Sequence, residues 1–492
     1  MLIRWLHLGH RWLGMGLGVV VLLWFVSGVV MLFVARPQLT EPERLRGLPA
    51  LEMSAVKQSP LAAWQVLGLP DWPTAVRLNQ IAGRPAYHFL VAKRWLTVDA
   101  TTGLPRAIAT AAEAQASALA FLGNNPDSVA EVQAVERDQW TVYSRFNALR
   151  PFYQVKVNDA TGHTLYVSQQ TGEVALDTEV WERAWNWLGS VTHWLYFTPL
   201  RQMTEVWRNL VLCLSFAALL LTISGLVLGI QRLRLQRRYA SGQITPYRAG
   251  WKRWHHLAGL TGGIFVLTWL LSGWLSLAPF GLLKGSAVTV AEQQFLAGGE
   301  LDAEVLARIP SAPPGEVVRE IQWLRFAGQP YILLQSVAQS RLQAQPDGPV
   351  IANLTLDDVL AQVRKLQPSA PVIAADLLTA PDENYYPHRH QLRRLPVVRV
   401  RLGDVEQSVF YIDPTTARLE ARVDSASRWH RWLFNALHRL DFPPLSGTGL
   451  ARDLLVILLS VAGAALVLAG CILGWQRLRR PSVSSTLANQ TK

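Results

Sequence analysis

Four of the eleven histidines form two pairs with one spacing. His10 and His255 stand as far apart as His193 and His438 (255 − 10 = 438 − 193 = 245). Neutral imidazole nitrogen binds haem iron. Two imidazoles facing each other across a helix bundle would supply both axial bonds of a b-type haem. Two such pairs, one near each face of a membrane, would carry electrons where ions cannot pass. Ionisable residues at membrane depth are functional candidates by default. A single histidine at a helix end often only snorkels or caps, and it is the repeated spacing that lifts these four above that reading. Glycines follow two of them by four residues, Gly14 after His10 and Gly259 after His255, where they would let a bulky planar group approach the helix.

Other histidines lie close to these four. His7 is one turn before His10 and His256 follows His255, but the shifted positions hold Lys252 and Arg11. His430 precedes His438 by eight residues, and its counterpart is Trp185. These three are secondary candidates, as ligands or as neighbours of ligands. A separate cluster reads Tyr385-Tyr386-Pro387-His388-Arg389-His390. On an extended segment His-x-His points both rings to one side, which with two tyrosines and an arginine makes a candidate contact for a ferric chelate or a metal. The counterparts of its histidines are Tyr143 and Arg145, so a polar loop with no special role is the simpler reading. His88 and His163 have no repeated partner and are expected in strands or turns at the surface. No catalytic residue stands out.

The same offset relates residues along the whole chain. Ser27-Gly28 falls on Ser272-Gly273, Gln231-Arg232-Leu233-Arg234 on Gln476-Arg477-Leu478-Arg479, Ala82-Gly83 on Ala327-Gly328, and Tyr166 on Tyr411. One constant offset across so many features predicts an internal duplication. A duplicated membrane protein can fold about a pseudo-two-fold axis, across which repeated residues face each other.

The elements that must position these residues are legible in the hydropathy. Half of the 492 residues are hydrophobic, and the apolar residues concentrate in four uncharged runs, Leu13–Val34, Asn209–Ile230, Leu257–Pro279 and Leu454–Trp475. Each run is long enough to cross a bilayer. The first is read as a retained span rather than a signal peptide, because the third run repeats it in mid-chain. The expected fold is a four-span α-helical membrane bundle with two α+β modules outside it. The expected segments are an N-terminus at 1–12, spans at 13–34, 206–230, 257–279 and 451–475, modules at 35–205 and 280–450, a basic loop at 231–256 and a tail at 476–492. The basic loop holds Arg232, Arg234, Arg237, Arg238, Arg248, Lys252 and Arg253 without an acid. Basic residues mark the cytoplasmic side, so both termini and this loop are expected in the cytoplasm and both modules in the periplasm of a bacterial inner membrane. The net charge of +12 is largely this rim, which argues for contact with membrane lipid and not with nucleic acid. Tryptophans near the span ends, among them Trp5, Trp12, Trp207, Trp254 and Trp475, fit an interfacial belt. The two cysteines, Cys213 and Cys471, lie inside apolar runs as packing residues, and no CxxCH is present, which excludes covalently attached c-type haem.

Within the modules, alternation predicts strands at Tyr87–Val98 and Tyr331–Leu342, helices at Ala107–Phe121 and Leu354–Leu366, and paired strands Phe152–Val157 with Thr164–Ser168 and Val397–Leu402 with Ser408–Ile412. Each module closes on an aromatic amphipathic stretch, Trp187–Leu200 and Trp432–Leu445. Each stretch is expected as a membrane-surface helix stopped by Pro199 or Pro444.

His10-Arg11-Trp12-Leu13-Gly14, Ser27-Gly28, Trp254-His255-His256 and Leu437-His438-Arg439, with soluble segments between paired spans, resemble the PepSY-associated transmembrane family. The resemblance covers almost the whole chain. It implies b-type haem, in two copies, held between the helices, and reduction of a ferric siderophore or other ferric chelate at the periplasmic side, as in FoxB-like ferric-siderophore reductases. Some members carry a fused flavoprotein reductase. This chain shows no GxGxxG or P-loop, so its donor is expected to be a separate cytoplasmic reductase or a membrane quinol. Two rivals make different demands. A PepSY binding or regulatory protein would need no haem, and an iron or siderophore transporter would need polar residues in mid-span, where only scattered Ser and Thr occur.

Overall fold

The computed structural model describes residues 1–123, 129–285, 287–311, 315–344, 348–351, 353–387, 392–442, 445 and 449–479. The chain divides into two compact units. One comprises Met1–Arg36, Trp185–Lys284 and Ser427–Lys492, and the other Pro37–Ala184 and Gly285–Ala426.

The first unit is built on four helices long and apolar enough to cross a membrane: span 1, Leu2–Phe33; span 2, Thr204–Gln231; span 3, Trp251–Leu275; and span 4, Leu450–Leu478. Span 1 packs on spans 2 and 4, and span 3 packs on the same two, so spans 1 and 3 lie across a diagonal. In lipid no hydrophobic force drives helices together, so close packing over small residues does that work. A Cβ on Gly18 would lie 2.8 Å from Cys471 Sγ, and one on Gly263 would lie 2.8 Å from Leu226 Cδ2. These contacts seat span 4 on span 1 and span 2 on span 3.

The stretches before spans 2 and 4 do not run as one helix into a proline. Each passes through a wide turn, Trp187–Val191 or Arg431–Ala436, then a short helix, Thr192–Trp194 or Leu437–Arg439. Each then stops at a leucine in the left-handed region, Leu195 and Leu440, both at φ 52°. Pro199 instead sits in the first turn of the next helix, Thr198–Arg201, where its missing N–H costs nothing.

The second unit is α+β. Its first half carries β1 (Ala75–Ile81), β2 (Arg84–Val91), β3 (Arg94–Asp99), β4 (Val129–Val135), β5 (Phe152–Val157), β6 (Thr164–Ser168) and β7 (Val174–Thr178). Its second half carries β8 (Glu320–Phe326), β9 (Gln329–Gln335), β10 (Ser340–Ala344), β11 (Val350–Ile351), β12 (Val372–Leu378), β13 (Val397–Leu402), β14 (Val409–Asp413) and β15 (Arg418–Val423). Strands β4 to β7 form one four-stranded sheet and β12 to β15 another. A helix covers each, Ala111–Phe121 through Ala114 and Ala118 and Leu356–Leu366 through Val359 and Val363. The first of these helices begins four residues later than the apolar pattern suggested, because Thr110 caps it in a reciprocal box with Glu113.

Two sequence expectations change here. Tyr87–Val98 is not one strand but the hairpin of β2 and β3, and Tyr331–Leu342 runs from β9 into β10. The first turn hides because Ala92 and Lys93, not Gly or Asn, take its left-handed positions. The two modules are also not separate: β1 pairs antiparallel with β8, joining both halves in a seven-stranded sheet of order β11-β10-β9-β8-β1-β2-β3.

Candidate functional site

His10 on span 1 and His255 on span 3 face each other across the diagonal, with ring centres 6.2 Å apart. His193 and His438, on the two short helices before spans 2 and 4, also face each other with ring centres 6.2 Å apart. Both expected pairs are therefore brought together, and each has its own setting.

The hydrogen bonds fix which nitrogen each ring offers. His10 Nδ1–H donates to the Leu221 carbonyl at 3.0 Å, and His255 Nδ1–H to the Leu466 carbonyl at 3.3 Å. At the other pair, the Ser27 hydroxyl donates to the Leu23 carbonyl at 2.6 Å, so its oxygen accepts from His193 Nδ1–H at 3.0 Å. Ser272 repeats this, donating to the Trp269 carbonyl at 3.0 Å and accepting from His438 Nδ1–H at 3.1 Å. Both serines are fully buried. All four rings thus carry their proton on Nδ1, which leaves Nε2 as the free lone pair, the arrangement seen when a second-shell acceptor orients a metal-binding histidine.

Each ring packs on a glycine that leaves room for it. A Cβ on Gly225 would stand 2.7 Å from His10 Cε1, and one on Gly470 3.0 Å from His255 Cε1. Gly28 and Gly273 lie beside His193 and His438 at 3.6 and 3.3 Å. Gly14 and Gly259, singled out in the sequence as leaving room for a planar group, touch no imidazole; a Cβ on either would meet Leu221 or Leu466 at an ordinary 3.7 Å.

Two imidazoles that shared one metal ion, at about 2 Å from each nitrogen, would have ring centres about 6 Å apart. Both pairs match that separation. Each pair supplies two neutral nitrogens, and among the described residues no group of three or more His, Cys, Asp or Glu is placed to hold a metal ion. Two opposed ligands suit an iron whose other bonds come from a macrocycle. The donor set therefore fits haem: His10 and His255 would hold one, and His193 and His438 the other.

A model of the PepSY-associated TM region matches residues 7–477. The chain belongs to this family. No curated protein matches it.

The secondary candidates of this PepSY-associated TM protein are placed differently. His7 Nδ1–H donates to the Ile3 carbonyl at 2.8 Å, and its Nε2 accepts from Arg232 at 2.8 Å. His256 is buried with both nitrogens engaged, Nδ1 with the Thr245 hydroxyl and Nε2 with the Gly229 carbonyl, each at 2.9 Å, so it fastens the basic loop to the end of span 2. His430 lies 5.2 Å from the Phe434 ring, which stacks on His438 at 5.1 Å. Tyr385 is a core residue, fully buried and stacked on Tyr411 at 4.8 Å rather than exposed at a surface. Tyr386 is half-buried. His388, Arg389 and His390 lie outside the described residues. His88 is buried rather than at the surface, held by Thr97 and Asn79 at 3.0 Å each, and burial pushes its pKa down to about 4.

Sequence reasoning missed Gly225 and Gly470, and missed what Ser27 and Ser272 do. Gly225 and Gly470 share the offset of the histidines they face, which was the available signal.

Proposed function

We propose that this chain is a di-haem b electron-transfer protein of the bacterial inner membrane. It reduces a ferric siderophore or related ferric chelate on the periplasmic side, as FoxB-like ferric-siderophore reductases do, and so serves iron acquisition. Its 245-residue spacing is the trace of an internal duplication, with the two halves related by a pseudo-two-fold axis. Its basic loop and both termini face the cytoplasm, and both halves of the α+β unit face the periplasm.

One observation carries the reading. Two histidine pairs of identical separation, each ring with Nδ1 tied down and Nε2 free, stand at the two ends of one bundle. His10 and Ser27 lie on the same helix, about 25 Å apart along its axis at 1.5 Å per residue. Haem bound at each pair supplies a one-electron couple. The chain's own residues do the rest. The carbonyls of Leu221 and Leu466 and the hydroxyls of Ser27 and Ser272 hold the imidazoles in one tautomer. The glycines admit the rings, and the apolar bundle keeps water and ions out of the path. With haem held there, His10 and His255 would mark the side that receives electrons from a separate cytoplasmic reductase or a quinol, and His193 and His438 the side that delivers them. Ferrous iron is then released, because the chelate's oxygens hold it less tightly than ferric iron.

The test is an oxidised and a dithionite-reduced optical spectrum of the purified chain, with haem counted. Two b-type haems per chain with low-spin bands are expected. A chain that takes up none when haem is plentiful refutes the reading and returns the protein to a binding or regulatory role, or to transport.

A further inference from the structure

The two histidine pairs are joined through the bundle by a chain of contacts that is aromatic at its centre in only one of its two equivalent forms. His255 Nδ1–H donates to the Leu466 carbonyl at 3.3 Å. One turn away on span 4, Gly463 accommodates the Phe25 ring, so close that a Cβ on that glycine would lie 2.6 Å from it. The Phe25 and Trp269 rings meet at 5.4 Å and 50°. The Trp269 carbonyl accepts from His438 Nδ1–H at 3.2 Å. Contact therefore runs His255–Leu466–Gly463–Phe25–Trp269–His438.

Shifted by the repeat, the same positions read His10, Leu221, Ala218, Leu270, Trp24 and His193. The ends are kept: His10 Nδ1–H donates to the Leu221 carbonyl at 3.0 Å. The middle differs. Ala218 replaces the glycine and Leu270 replaces the phenylalanine, so the aromatic ring and the notch that admits it are missing together. Phe25, Leu270, Ala218 and Leu466 all belong to the same buried cluster at mid-bundle, so both versions are packed. Only one of them is aromatic at its centre.

We propose that Phe25, seated in the Gly463 notch against Trp269, is the bridge by which the inner and outer sites exchange electrons, so that transfer runs along one half of the molecule. This rests on the haem reading above. Tunnelling favours an unbroken run of contacting atoms and low-lying π orbitals, and loses most at gaps, where atoms have no partner. In each transfer one electron leaves the inner iron, which goes from ferrous to ferric, and reaches the outer iron, which goes from ferric to ferrous. No bond forms or breaks. Phe25 and Trp269 bind neither iron and are positioning residues.

The molecule supplies its own control, because F25L with G463A rebuilds the Leu270–Ala218 packing that it already contains. The full chain is reduced and sealed in phospholipid vesicles, then mixed with membrane-impermeant ferric EDTA. Whichever end faces out, the exposed site oxidises first and the far site follows through the bundle. The expected result is two haems per chain, unchanged spectra and midpoint potentials, and a far-site phase slowed severalfold. L270F with A218G, made separately in the wild type, is expected to add a second route and speed that phase, which keeps the proposal testable if the first pair folds poorly. A far-site phase unchanged in both variants overturns the bridge while leaving the haem assignment intact. A wild-type chain without two haems overturns the reading beneath it and the bridge as well.

Discussion

Arg77 lies opposite Gln322 in the register of β1 and β8, and the two are equivalent positions of the proposed repeat. An antiparallel pair centred on equivalent residues is what a two-fold axis through the sheet produces. Around it the halves exchange charges. Arg44 of the first half grips Glu320 of the second with two bonds of 2.7 and 2.8 Å, and Asn79 adds a third at 3.0 Å. Glu173 lies beside them, paired with Arg77 and bonded by Asn79 at 2.8 Å. Glu320 is fully buried. Burial opposes its charge, but Arg44 and Arg77 outweigh that and hold its carboxyl well below the usual range. E320A takes the two short bonds from the Arg44 guanidinium and leaves it only the longer Glu173 contact at 3.4 Å, and breaking a buried pair costs up to about 3–5 kcal/mol. K156A, which removes the exposed Lys156–Glu131 pair, should cost about 0–1 kcal/mol. Thermal or denaturant unfolding of the α+β unit in the full chain compares them. Equal effects would refute the interlock.

The same network makes stability depend on pH through His88. Burial lowers its folded pKa from 6.5 to about 4. The sign follows from proton binding: between these values the unfolded chain takes up a proton that the folded chain refuses, so stability falls as pH falls through this window. The full effect is about 3 kcal/mol. Glu182, raised by burial to about 7, works in the opposite direction over much of the window, so the comparison must be between proteins. H88Q should flatten the fall in melting temperature between pH 6.5 and 4 relative to wild type, and an unchanged slope would show that His88 is not its source.

How far the sequence reaches depends on what each residue does. The spans were legible because lipid demands long uncharged runs, and the histidine pairs because the repeat singled them out. Strands β1 and β8 were not legible. Their inward positions include Asn79 and Glu320, buried polar residues whose partners lie on other strands and, in part, in the other half of the chain, and these erase the period-2 pattern. Tyr385 looked like a ligand contact because it sits among histidines. Its burial depends on Tyr411, and no local pattern reports that stacking. Nor could spacing reveal that Leu195 and Leu440 end their helices in a conformation leucine rarely adopts.

The four proposed ligands and their neighbours should separate cleanly on substitution. H438A or H193A is expected to lose one haem of two and leave the other reducible, whereas H256A should keep both, since His256 is spent on Thr245 and Gly229. S27A removes one acceptor that orients His193 and leaves it the Trp24 carbonyl. Loss of such an outer-shell partner typically costs about 10–100-fold in metal affinity. Haem titration of the refolded or haem-depleted protein reads this directly. If H438A empties both sites together, the two-site arrangement is wrong.

The glycines give the sharpest contrast, because sequence and structure nominate different ones. Gly14 and Gly259 have room for a methyl group, with their nearest neighbour at 3.7 Å. At Gly225 and Gly470 a methyl group would meet an imidazole ring at 2.7 and 3.0 Å, short enough that the ring must move. The ring cannot turn freely, because its Nδ1–H is committed to a carbonyl of the same span that carries the glycine. G225A and G470A should therefore displace His10 and His255, at a cost of about 1–3 kcal/mol if the site overpacks. They should weaken or abolish the low-spin signal of the inner haem while the outer haem keeps its spectrum. G14A and G259A should leave both spectra as in wild type. Optical and electron paramagnetic resonance spectra of the four variants decide the matter: if G14A disturbs the inner site as much as G225A does, the ring contacts described for Gly225 and Gly470 do not govern it.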